Sequence, residues 1–90
     1  MIQTSAEPFQ RASKEIRNLT RTPQKDERLK LYGLYKQGIQ GDIWIQKPWF
    51  WQLKSSDRWW AWKTEFGKTN EQARQEYIQL VEELIQKYED

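Results

Sequence analysis

Leu29, Tyr32 and Lys36 fall on one row of a helix of about 3.6 residues per turn, with Tyr35 and Ile39 beside them. Two phenols and an ammonium group thus share a half-apolar face. A core face would exclude the Lys, and a solvated face would exclude the Leu, Tyr and Ile. The mixture suits a ligand that is both aromatic and anionic, held by stacking and by charge-assisted hydrogen bonds.

The chemistry available elsewhere is narrow. The chain has no His, which removes the commonest general base near neutral pH and the commonest metal ligand. It has no Cys, so disulfides, thiolate nucleophiles and thiolate metal sites are absent. Carboxylates remain, but no pair of them is singled out by spacing. No nucleophile–base pair, phosphate-cradling loop or metal constellation is visible, so the expectation is a binding protein that needs no cofactor and catalyses nothing. A formal charge of +2 is too weak for a general nucleic-acid footprint. No apolar run reaches the length of a membrane span, and the first residues lack the pattern of a signal peptide. The expectation is a cytoplasmic monomer without stable membrane insertion.

Ninety residues make one domain over 1–90, with its helical core at about 6–88 and a small apolar interior. Phe9, Ala12, Ile16 and Leu19 recur at helical spacing, so the first helix begins near Ser5–Pro8 and stops within 20–23. Thr22 is the expected N-cap of the second helix and Pro23 its first-turn residue. That helix runs to about Gln40, and Gly41 supplies a left-handed terminus. The connection from Asp42 to Lys54 carries Trp44, Trp49, Phe50, Trp51 and Leu53, too apolar for a free linker. It must pack across the bundle or against a partner. Ser55 or Ser56 is expected to cap a third helix running through Phe66, with Trp59, Trp62 and Phe66 as its buried stripe. Thr69 and Gln72 form a capping box for the fourth helix, whose buried face is Ala73, Tyr77, Leu80, Val81, Leu84 and Tyr88. The pattern predicts an all-α fold, a four-helix bundle with one long crossover.

The run Tyr32-Gly-Leu-Tyr-Lys-Gln37 followed by Gly41-Asp-Ile43 resembles the second-helix signature of the acyl-CoA-binding protein family. The resemblance extends from Phe9 to about Tyr88 and implies an up-down-down-up bundle. It also implies a ligand, an acyl-CoA ester of medium to long chain, carried and pooled inside the cell and delivered to acyl-CoA-using enzymes. Tyr32 and Lys36 match the family's contacts to the ribose phosphate of CoA, and Tyr35 matches a Tyr that packs on adenine. Arg58 stands where a Lys usually reaches the same phosphate. Lys54 matches a basic residue before the third helix, and Arg17 a basic position on the first. Tyr77 matches a fourth-helix Tyr near the acyl chain. Gly33 and Leu34, between the second-helix contacts, are expected to touch ligand as well.

The chain departs from the family pattern in its aromatic residues. Trp59 and Trp62 match family positions and are expected in the core, whereas Trp44, Trp49, Trp51 and Trp60 are additions. Glu65-Phe66 replaces a common Leu-Lys. The extra indoles either reshape the groove for the acyl tail, thicken the core, or form an exposed patch for a partner or membrane. Two other functions compete. A nucleic-acid module finds support in basic residues interleaved with Trp and in a formal GxxG at Gly38–Gly41, without the strands that such a domain needs. A helical protein-interaction module that has lost its ligand is the alternative left open by the altered loop.

Overall fold

The computed structural model describes residues 6–48 and 53–89, with the backbone alone for Leu53 and Lys54. Four helices follow one another: α1 (Ala6–Arg17), α2 (Lys25–Gln40), α3 (Leu53–Thr64) and α4 (Asn70–Glu89). In α1 the apolar spacing turns Phe9 and Ala12 inward, with Ile16 partly covered, and Pro8 sits in the first turn where its missing N–H costs nothing.

α2 begins later than its sequence suggests. Gln24, not Thr22, is the N-cap, and Pro23 lies outside the helix. The cause is Glu27, whose carboxylate accepts the Gln24 N–H at 2.8 Å and is itself held from α4 by the Lys87 ammonium at 2.7 Å and the Tyr88 hydroxyl. A tertiary anchor thus sets the helix start, and the Thr22–Pro23 signal is overruled. At the other end Gly41 takes a positive φ of 74° while its N–H bonds to the Gln37 carbonyl. Its ψ of −151° is extended, not left-handed helical, a combination open essentially to glycine.

α3 also departs from expectation at both ends. Ser55 and Ser56 lie inside it and do not cap it, and Asp57 pairs with Lys25 across to α2. After Thr64 the chain tightens into bonds from Glu65 to Trp62 and from Phe66 to Lys63. This turns Glu65 inward, 1% exposed, and leaves Phe66 53% exposed. The buried stripe is therefore Trp62 and Glu65, not Phe66. The capping box of α4 forms as predicted, with Gln72 N–H to Thr69 Oγ1 at 3.0 Å and Thr69 N–H to Gln72 Oε1 at 2.9 Å.

Contacts at the helix ends give the topology. Arg74 near the start of α4 lies over the Phe9 ring near the start of α1, and Arg21 just past α1 lies over Tyr88 at the end of α4. These two helices are parallel. Glu27, early in α2, meets the end of α4, so α2 is antiparallel to it. Lys25 pairs with Asp57 early in α3, and Gln37 late in α2 donates to the Lys68 carbonyl beyond α3, so α2 and α3 run parallel. The result is an up-down-down-up bundle in the lateral order α1, α4, α2, α3. Its core is Phe9, Ala12, Leu31, Leu34, Ala73, Tyr77, Val81 and Leu84. No described helix is long and apolar enough to cross a membrane.

Candidate ligand groove between the second and third helices

Close approach of α2 and α3 creates the site. A Cβ placed on Gly33 would lie 2.2 Å from the Ala61 carbonyl oxygen, so the helices cross at a distance that glycine alone permits. That crossing brings Tyr32 and Lys36 on α2 opposite Arg58, Trp59 and Trp62 on α3.

Three hollows follow the seam and share walls. The first, of about 410 Å³, is lined by Tyr32, Lys36, Arg58, Trp59 and Trp62, with Ser55 and the connection residues Ile43, Ile45, Gln46 and Pro48. The second, of about 350 Å³, shares Tyr32 and Arg58 and adds Lys25, Arg28, Leu29 and Asp57. The third, of about 310 Å³, shares Leu29 and Asp57 and continues over Trp60, Ala61, Thr64, Asp26, Lys30 and Glu65. The first two, joined at Tyr32 and Arg58, make one open groove along α2, whereas the third meets the second at Leu29 and Asp57 and shares no residue with the first.

The first hollow is cationic and aromatic. Lys36 Nζ lies 6.0 Å from the Tyr32 ring centre and 5.6 Å from that of Trp62. Trp62 is 2% exposed and donates its indole N–H to the Gly41 carbonyl at 2.8 Å, so the lysine rests on a fixed platform. Among the described residues neither Lys36 nor Arg58 has a carboxylate in ion-pair contact, and both remain free for a ligand's anion. The third hollow has an apolar floor of Leu29, Ala61 and Trp60. Glu65 closes its far end, receiving Lys30 at 2.7 Å and Lys68 at 2.6 Å, with Lys68 also on Glu76 at 2.7 Å. Burial pushes the Glu65 carboxyl up, but the hydrogen bonds from Lys30 and Lys68 outweigh it and hold the group below the ordinary range.

Other expected residues lie on the α1–α4 side of α2. Tyr35 stacks on Phe9 at 5.2 Å between ring centres and lies 5.6 Å from Tyr77, which meets Phe9 edge-on at 5.0 Å. Tyr77 is buried, and burial pushes its phenol up to about 12, opposed by the nearby positive charge of Arg17. Arg17 itself is exposed at the last turn of α1. Gly33 sits at the helix crossing, and the Leu34 side chain, 1% exposed, belongs to the core, so any contact of these two with a ligand runs through backbone. The Lys54 side chain lies outside the described residues, as do Trp49 and Trp51.

Lys25 and Arg28 line the groove but were not singled out from sequence, although with Tyr32 they recur at i, i+3 and i+7, a helical signal that was legible. Ala61 carried no such signal, because its placement depends on where α3 crosses α2. Among the described residues no cluster of acidic groups could hold a metal ion.

Known proteins share this arrangement. The family profile described as Acyl CoA binding protein matches residues 6–81. An acyl-CoA-binding protein homolog of Drosophila melanogaster is 43% identical over 83 residues, covering 92% of this chain and 96% of that protein. The acyl-CoA-binding protein of Saccharomyces cerevisiae is 42% identical over 80 residues, covering 89% and 92%. The crystal structure of Oryza sativa Acyl-CoA-Binding Protein 2 superposes with a TM-score of 0.89 at 34% identity, covering 92% of each chain. The chain belongs to the acyl-CoA-binding protein family.

Proposed function

We propose that this protein binds one acyl-CoA ester non-covalently along the α2–α3 groove and serves as a carrier and reservoir for it. The carrying observation is the polarity of that groove. It offers Lys36 and Arg58 beside the Tyr32, Trp59 and Trp62 rings, and an apolar wall of Ile43, Ile45 and Pro48. Phosphate oxygens suit the two cations, and the purine suits the rings. Arg58 keeps the charge of the usual Lys and adds a bidentate fork. The tail gains about 0.8 kcal/mol per methylene removed from water. Arg17, Tyr35 and Tyr77 would border the same ligand from the α1–α4 side. The protein holds and releases its ligand without transforming it. The medium-to-long-chain preference, a cytoplasmic location, a monomeric state and delivery to acyl-CoA-using enzymes all belong to this reading.

Calorimetric titration with acyl-CoA esters of several chain lengths, free CoA and free fatty acid tests it. One-to-one binding of the esters, well above both controls, is the expected result. A folded sample that ignores the esters, or binds free CoA equally well, would overturn it.

A further inference from the structure

The outer edge of the bundle is α3 with the connection that leads into it, since among the described helices α3 packs on α2 alone. That edge is unusually apolar for a surface. Trp44 is 74% exposed and Trp60 51%, and Ile45 and Phe66 are exposed with them. The patch is held together. The Trp59 indole N–H donates to the Ile45 carbonyl at 2.7 Å, clipping the connection onto α3, and the Trp59 and Trp60 rings meet edge-on at 4.9 Å.

Two cations lie over these rings. Lys47 Nζ is 4.9 Å from the centre of the Trp60 ring, and Lys63 Nζ is 4.2 Å from that of Phe66. The Asp42 carboxylate near Lys63 is occupied by the Gly67 N–H and the Gln37 amide. We propose that this edge docks reversibly on an anionic lipid bilayer. An indole has an apolar body and a polar N–H, and such rings settle at the boundary between headgroups and acyl chains. A lysine laid across a ring covers apolar surface with its stem and presents its ammonium to lipid phosphates. The rings are spread over a loop and a helical turn, which fits a fluid, adaptable surface better than a protein pocket built for one anchor. Ile45 also lines the groove, so docking sets its mouth at the interface where an acylated amphiphile partitions. The docking rests on the patch alone; its link to cargo rests on the acyl-CoA reading.

The test is co-sedimentation of the whole protein with vesicles of phosphatidylcholine, and of phosphatidylcholine with phosphatidylserine, at low and high salt, beside the acyl-CoA titration. Binding should favour the phosphatidylserine vesicles and weaken with salt. Trp44→Ser with Phe66→Ser should reduce it roughly tenfold through lost apolar burial. Lys47→Gln with Lys63→Gln should abolish the preference for phosphatidylserine at a similar, roughly tenfold cost. Both double variants should keep helical circular dichroism and acyl-CoA affinity. A parent protein that ignores both vesicles, variants that bind as the parent does, or binding to an acidic polypeptide in place of vesicles each overturns the proposal. Intact acyl-CoA titration without vesicle binding overturns docking alone, and the converse result overturns the carrier reading alone.

Discussion

Replacing Gly33 by Ala sets two well-known effects against each other. Within a helix Ala is favoured over Gly by about 1 kcal/mol, so local propensity predicts stabilisation. The crossing predicts the opposite. The new Cβ would lie 2.2 Å from the Ala61 carbonyl oxygen and 2.8 Å from its carbon. Carbon–oxygen contacts normally close at about 3.3–3.6 Å, a deficit of roughly 1 Å. The obstructing atoms are backbone, so no rotamer change relieves the clash, and α2 and α3 must separate. Overpacking costs about 1–3 kcal/mol, and a rigid obstruction places this case near the top of that range. The net expectation is a loss of roughly 1–2 kcal/mol, read as a lower urea midpoint with an unchanged slope. Acyl-CoA affinity should fall roughly tenfold, about 1.4 kcal/mol, because the same separation moves Tyr32 and Lys36 away from Arg58 and Trp62. Gly38→Ala is the internal comparison. Its Cβ would meet the Arg74 Cγ at 3.1 Å and the Phe9 Cζ at 3.2 Å, and side chains can give way, so it should be the milder change. A Gly33→Ala protein as stable as its parent, or more so, would refute the close-crossing argument.

Lys36→Ala and Tyr32→Ala should each weaken acyl-CoA binding by at least roughly tenfold in calorimetry with helical content intact; unchanged affinity in both would remove them from the site. Glu65→Gln keeps the shape of a 1% exposed side chain but loses its ionic hydrogen bonds to Lys30 and Lys68, so urea unfolding should register a loss of about 2 kcal/mol. An unchanged midpoint would mean that the pair contributes nothing net. Acid should destabilise the fold through Glu27. Hydrogen bonds from Lys87, Tyr88 and the Gln24 N–H lower its carboxyl from 4.5 to about 2, so its contribution is complete above the higher value and lost as pH falls through the lower. Thermal unfolding across that window should be less pH-dependent in Glu27→Gln than in the parent, and parallel curves would contradict the assignment.

The parts of the fold that could be read from sequence are those set by local signals. The α4 capping box needs only residues three apart, and it forms. The apolar spacing of α1 and α4 likewise maps onto Phe9, Ala12, Ala73, Tyr77, Val81 and Leu84 in the core. Signals failed where a distant element overruled them. Thr22-Pro23 is a sound local start for α2, yet Glu27 moves the cap to Gln24 because α4 supplies two of its three partners. Phe66 sits at helical spacing from Trp62, but the tightened turn after Thr64 rotates it outward. At the site, Tyr32 and Lys36 stood out because their types conflict on one face. Arg58 gave no such signal, since a lone Arg is indistinguishable from a solvated charge until α3 is placed against α2.

That placement ties topology to binding. Two parallel neighbours cannot be joined by a tight turn, so α2 and α3 require a long connection that travels back along the bundle. Part of that connection, Ile43 to Pro48, becomes the wall of the cationic end of the groove. The same crossover that the topology demands therefore supplies the third side of the site. Gly33 sets the depth of the seam and Trp62 fixes its floor through the Gly41 carbonyl, while the α1–α4 pair carries most of the core and need not move. Changes in the connection and on the outer face of α3 can then alter what the groove meets without unsettling the scaffold. Trp44 and Trp60 lie in that permissive region.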